Sequence, residues 1–163
     1  MTLSSRTAFG AIALLCAALI GGALYLQHVQ NLEPCPLCIV QRYAFILAGA
    51  TALVAVLHNP HGVGQRIYGS LVAVFAAAGA AVAIRHVWLI HHPEQAMGCG
   101  PGFDYMVEHF PLSKSLPMIF RGTADCAAET WRLLGLTLPA WALVWFALIV
   151  FAGIFVAARN RPT

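Results

Sequence analysis

The chain has 163 residues, 60% of them hydrophobic and only 9% charged, against about 25% charged in an ordinary soluble domain. Too little polar surface remains to cover a water-soluble enzyme. Nine Lys plus Arg against six Asp plus Glu give +3, without the basic clusters that would track a phosphate backbone, so no nucleic acid partner is expected.

A helix crossing about 30 Å of hydrocarbon needs roughly 20 mostly apolar residues. Taken in chain order, four windows meet that requirement: 8–26, 39–57, 67–84 and 140–158. The second is interrupted only by Gln41 and Arg42 near its start. None alternates in polarity as a barrel strand would, so the expected fold is an all-α membrane protein, a four-transmembrane-helix bundle forming one integral membrane domain over 1–163. The first window runs well past the apolar core of a signal peptide and is read as an anchor.

Between the spans, Lys and Arg set the orientation, because cytoplasmic segments hold an excess of them. With the N-terminus inside, the cytoplasmic pieces carry Arg6, Arg66, Arg159 and Arg161 and no acidic residue. Both termini are then cytoplasmic, and two outer loops, about 27–38 and 85–139, face a bacterial periplasm. Tyr25, Tyr43, Tyr68, Trp88 and Trp141 at window ends suit interfacial belts. The second loop is rich in Pro and Gly, so its start is expected to be loop. Leu112, Leu116, Ile119 and Phe120 then recur with helical spacing, which predicts a short interfacial helix limited by Pro117 to a turn or two. The run Ala76 to Ala83 reads as close helix packing through small side chains.

Four of the five cysteines, Cys35, Cys38, Cys99 and Cys126, fall on the side assigned as outside by charge alone, where disulfides form. Cys16 lies within the first span and reads as a small buried hydrophobe. Closing the loop from Cys99 to Cys126 would restrict enough chain to stabilise by about 3 to 3.5 kcal/mol. Cys35-Pro36-Leu37-Cys38 encloses two residues, so a bridge there constrains almost nothing and suits reversible thiol-disulfide exchange instead. Cys38 is placed at the opening of the second span, where the helix dipole and Arg42 at i+4 favour a thiolate. Against that reading, Arg42 could equally snorkel to the headgroups.

Zinc is disfavoured by spacing, since neither Cys99 nor Cys126 has a near Cys partner as in a two-knuckle site. Covalent haem requires Cys-x-x-Cys-His, and Ile39 follows Cys38. His28 and His86, single histidines near span ends, read first as interfacial. Two redox pairs imply a relay, and a relay in lipid can reach an acceptor that soluble proteins cannot. A membrane quinone, ubiquinone or menaquinone, fits Cys38 and Arg42 at the membrane edge.

The segment Pro34-Cys35-Pro36-Leu37-Cys38-Ile39-Val40-Gln41-Arg42-Tyr43 resembles the first outer loop and helix opening of the DsbB family, the inner-membrane quinone-dependent thiol oxidases. Cys99-Gly100-Pro101-Gly102-Phe103-Asp104-Tyr105-Met106, Phe110-Pro111-Leu112 and Gly122-Thr123-Ala124-Asp125-Cys126-Ala127 resemble its second loop. Leu136-Thr137-Leu138-Pro139-Ala140-Trp141 resembles its entry to the fourth helix. The Gly100-Pro101-Gly102 insert departs from some members. The resemblance implies a periplasmic DsbA-like dithiol oxidase as electron donor, joining at Cys99, and a transient bond between Cys126 and Cys35. It also implies that Cys38 faces quinone, with Arg42 assisting and His86 helping to supply protons. Because a Cys126-Cys35 bond needs Cα atoms within about 7 Å, the loops are expected to move. Two other readings compete: a relay of the vitamin K epoxide reductase type, and a non-enzymatic membrane scaffold with structural disulfides.

Overall fold

The computed structural model describes residues 4–32, 34–96, 109, 111–122, 126 and 132–159. Among them are four helices long and apolar enough to cross a membrane: α1 (Ser5–Val29), α2 (Pro36–His58), α3 (Val63–His91) and α5 (Leu138–Ala158). A shorter helix, α4 (Leu112–Arg121), precedes a two-stranded antiparallel hairpin, β1 (Arg132–Leu133) with β2 (Leu136–Thr137). Helices satisfy their own backbone hydrogen bonds, which is why such apolar segments adopt them in lipid.

Each end of these helices has a local cause. Ser4 caps α1, its hydroxyl accepting from the Arg6 N–H at 3.2 Å. Asn59 ends α2 in the left-handed conformation, at φ 45°. Pro139 lies in the first turn of α5, where a missing N–H costs nothing. The hairpin turns through Leu134 (φ 54°) and Gly135 (φ 84°), the two positive values of a tight two-residue turn.

Packing is closest between α3 and α5. A Cβ on Gly153 would lie 2.9 Å from the Gly69 carbonyl oxygen and 3.1 Å from the Ala73 nitrogen, so the two backbones touch. The alanine run packs as expected on one face: Ala76, Gly79 and Ala83 are buried, while Ala77, Ala78 and Ala81 are exposed. Phe146 of α5 fills the space over Gly79 and stacks on Phe45 of α2 at 3.8 Å between ring centres. Cys16 is buried against Gly49, where it acts as the small hydrophobe expected.

One buried amide ties the terminal end of the bundle. The Ser5 hydroxyl donates to Gln65 Oε1 at 2.8 Å, and Gln65 Nε2 donates to the carbonyls of Val156 and Arg159 at 2.7 and 2.9 Å. This joins the start of α1, the start of α3 and the end of α5, placing them on one side of the bundle.

Three expectations need correction. The charge-free third window stops at Ile84, but α3 continues through Arg85 and His86 to His91. A charge at the membrane edge does not end a helix, and no Pro or Gly intervenes before Pro93. The start of the second outer segment is therefore helical. The interfacial helix spans 10 residues, nearly three turns, with Pro117 inside it rather than limiting it. The hairpin at 132–137 lies where no element was expected. The Pro- and Gly-rich stretch 97–108 lies outside the described residues.

Candidate functional site

Pro36 supplies the fixed φ favoured at a helix's first position, which makes Cys35 the N-cap of α2. Its sulfur accepts the backbone N–H of Cys38 at 3.4 Å. The helix N-terminus therefore faces Cys35 first, and Cys38 stands in the first turn, at the opening of the helix. The two sulfurs are 3.2 Å apart, Cys35 donating to Cys38. Cys35 is buried and Cys38 half-buried.

The overrun of α3 brings His86 to these sulfurs. It is fully buried, and each ring nitrogen meets a different cysteine: Nε2 lies 3.7 Å from Cys35 Sγ and Nδ1 lies 3.9 Å from Cys38 Sγ. Two stronger contacts set the tautomer. Nε2 is 3.2 Å from the Cys126 carbonyl oxygen, which only accepts, so Nε2 carries a proton. Nδ1 is 3.2 Å from the amide nitrogen of buried Gln41, which only donates, so Nδ1 accepts. The imidazole is then neutral, its Nδ1 lone pair taken by Gln41 while Cys38 Sγ stands 3.9 Å from the same nitrogen.

Cys126 arrives from the second outer segment. Its sulfur, the Cys35 sulfur and a His86 ring nitrogen all lie within 4.8 Å of one another. The Cys126 and Cys35 sulfurs lie within 4.8 Å of each other, so the loop movement expected for a bond between them has a short gap to close at the sulfurs. Leu37, Val82, Leu89 and Ile119 close an apolar shell around them. Gly122 makes this approach feasible. It ends α4 at φ 77°, and a Cβ there would lie 2.3 Å from Leu89 Cδ1. Arg85 Nε, donating to the Phe120 carbonyl at 3.2 Å, fixes the end of α4 against α3.

Hydrogen bonding to Cys126 draws the Cys35 thiol down, but the hydrogen bond with Cys38 and burial outweigh it, leaving Cys35 above the ordinary thiol value. A protonated Cys35 donating to Cys38 agrees with the geometry.

Of the residues singled out by sequence, Cys35, Cys38, Cys126 and His86 are brought together; Cys99 lies outside the described residues. Arg42 reaches to α1, where its guanidinium donates to Gln27 Oε1 and to the Ala23 carbonyl at 3.2 Å. His28 is exposed. Gln41 was missed, although a lone amide three residues after Cys38 in an apolar helix shares its face and could have drawn attention.

The chain matches the family described as Disulfide bond formation protein DsbB over residues 5–156. Relatives named Disulfide bond formation protein B include one from Azoarcus sp. (strain BH72), 50% identical over 156 residues, covering 96% of this chain and 94% of the relative. Another, from Marinobacter nauticus, is 48% identical over 159 residues, covering 97% and 95%. A third, from Chromobacterium violaceum, is 40% identical over 162 residues, covering 99% and 98%.

Proposed function

This chain belongs to the DsbB family, a multi-pass membrane protein with a disulfide-forming role, and from that premise we propose that it oxidises a periplasmic DsbA-like dithiol protein and delivers the electrons to membrane quinone. The observation that carries the proposal is the gathering of Cys126, Cys35 and His86 within 4.8 Å, with Cys38 Sγ 3.2 Å from Cys35 Sγ. Sulfurs from two separate segments stand where one can attack a disulfide formed by the other pair.

In this scheme the donor's thiolate attacks a Cys99-Cys126 disulfide at Cys99, and Cys126 leaves as a thiolate. Cys126 then attacks a Cys35-Cys38 disulfide at Cys35, forming the Cys126-Cys35 bond and releasing Cys38 as a thiolate. Two electrons entering at Cys99 thereby reside on Cys38. Resolution of the mixed disulfides by the remaining thiols releases the oxidised donor. His86 touches both sulfurs of the first pair by different nitrogens, so it moves a proton between them without reorienting. Burial excludes water, which keeps the exchange among these sulfurs.

The residues at the outer edge of α2 suit a quinone. Cys38 is half-buried at the helix opening, and two of the five Arg42 N–H donors are engaged among the described residues, leaving others for a carbonyl oxygen. A bound quinone supplies the sink for two electrons and two protons. Arg42 and Cys38 would hold it, and His86 would hold the proton that accompanies the electrons. The outward side of this end, and the cytoplasmic side of the termini, follow from the Arg6, Arg66, Arg159 and Arg161 bias.

Quinone reduction by the purified protein supplied with reduced donor tests the scheme. Cys35→Ala, Cys38→Ala, Cys99→Ala and Cys126→Ala each abolish turnover, and Cys16→Ala leaves it unchanged. His86→Ala lowers kcat by about 100-fold, the scale of a lost proton-transfer group. Arg42→Ala raises KM for quinone. Retained turnover in Cys38→Ala would overturn the scheme.

A further inference from the structure

The sulfur cluster has a second chemistry. Ligand atoms on one tetrahedral zinc ion, with sulfur about 2.3 Å and nitrogen about 2.0 Å from the metal, stand about 3.8 Å apart for two sulfurs and about 3.5 Å for sulfur and nitrogen. Cys35 Sγ and His86 Nε2 are 3.7 Å apart, close to the spacing of two ligands sharing an ion. Cys126 Sγ, Cys35 Sγ and a His86 ring nitrogen lie within 4.8 Å of one another, three ligands for an ion whose fourth position is open to water. Cys126 has no near Cys partner along the chain, but the fold carries it back to the first pair.

The geometry points to a soft-cation site: when the relay is reduced, Cys35, Cys126 and His86 bind one Zn²⁺, and the bound ion stops thiol-disulfide exchange. This rests on the relay reading and adds an inhibitory ligand to it. No electron moves on binding. Two thiols lose their protons to solvent, and the imidazole proton shifts from Nε2 to Nδ1 so that Nε2 can coordinate. Nε2 gives up its bond to the Cys126 carbonyl. Gln41 then turns its amide so that Oε1 accepts from Nδ1–H, the orienting contact that ligating histidines usually have. A Cys35-Cys38 bridge or a bridged Cys126 removes the thiolates, so the oxidised protein cannot hold the ion. Zinc thus stabilises the reduced form and withholds its electrons.

The full-length protein in detergent, reduced with a non-thiol phosphine and then freed of it, is titrated with Zn²⁺ against a chromophoric chelator, and with Cd²⁺ for sulfur-to-metal charge-transfer absorption. The expected result is one ion per reduced chain and none per oxidised chain. Cys35→Ser and Cys126→Ser weaken binding by at least about tenfold and diminish the cadmium absorption, Gln41→Leu weakens it about tenfold, and Cys16→Ala binds as the parent does. Quinone turnover is measured on the same preparation with chelator present. Normal turnover with no bound zinc would overturn the metal site alone, as would zinc binding unchanged in Cys126→Ser. Zinc binding without turnover in metal-free protein would overturn the relay instead.

Discussion

At the end of the bundle where α1 and α3 start and α5 stops, α3 and α5 meet backbone to backbone through Gly69 and Gly153, and Gln65 ties three helix ends with three hydrogen bonds. At the other end the contacts are made by side chains from separate segments: Cys35, Cys38 and Gln41 from α2 and its cap, His86 from α3, and Cys126 from beyond α4. Backbone contact admits one arrangement and holds it. A cluster of sulfurs around one imidazole can exchange partners while its members stay near one another. The difference separates stability from chemistry: the terminal end is built to stay fixed so that the sulfur end can change its bonds.

Three measurements sharpen or break this division. The largest expected effect on stability is at Gly153. Gly153→Leu forces α3 and α5 apart and costs about 3 kcal/mol, read as an earlier midpoint in denaturant, while turnover per folded molecule stays that of the parent. A matching loss of turnover would show that the two ends are coupled. Gln65→Leu comes next. It removes the donor to the Val156 and Arg159 carbonyls and costs about 2 kcal/mol, again with turnover per folded molecule retained.

The smallest effect is a shift in pH dependence at the sulfur end. Because Cys35 stands above the ordinary thiol value, less thiolate is present at neutral pH. Its alkylation in the reduced protein should therefore rise at higher pH than that of free cysteine. The same sign applies to stability: the protonated thiol's favourable contribution is whole below the unfolded-state value and fades as pH rises through the folded one. Alkylation that begins below the free-cysteine range would contradict the assignment of the proton to Cys35.

Much of this was legible in the chain. Four apolar windows pointed to the four long helices, and the two-residue separation of Cys35 and Cys38 marked them as an exchange pair, because a bridge there would constrain so little. Pro36 also carried a legible signal, since a proline at the first helical position puts the cap on Cys35. The full length of α3 was hidden because a search for charge-free windows stops at Arg85, whereas helices end where capping or Pro intervenes. The hairpin escaped because two-residue strands are too short to show alternation. The meeting of Cys126 with Cys35 and His86 depends on Gly122 lying against Leu89, a tertiary contact with no local periodicity.

The 29 residues of α3 extend about 43 Å at 1.5 Å per residue, well beyond the roughly 30 Å of a typical hydrocarbon slab. His86, 23 residues after Val63, stands about 35 Å along the helix from its start. A typical bilayer therefore leaves about 13 Å of this helix to tilt or to project from the slab. Because the His86 ring is fully enclosed by protein, those projecting turns can meet different lipid surroundings while Leu37, Val82, Leu89 and Ile119 keep the sulfur site dry.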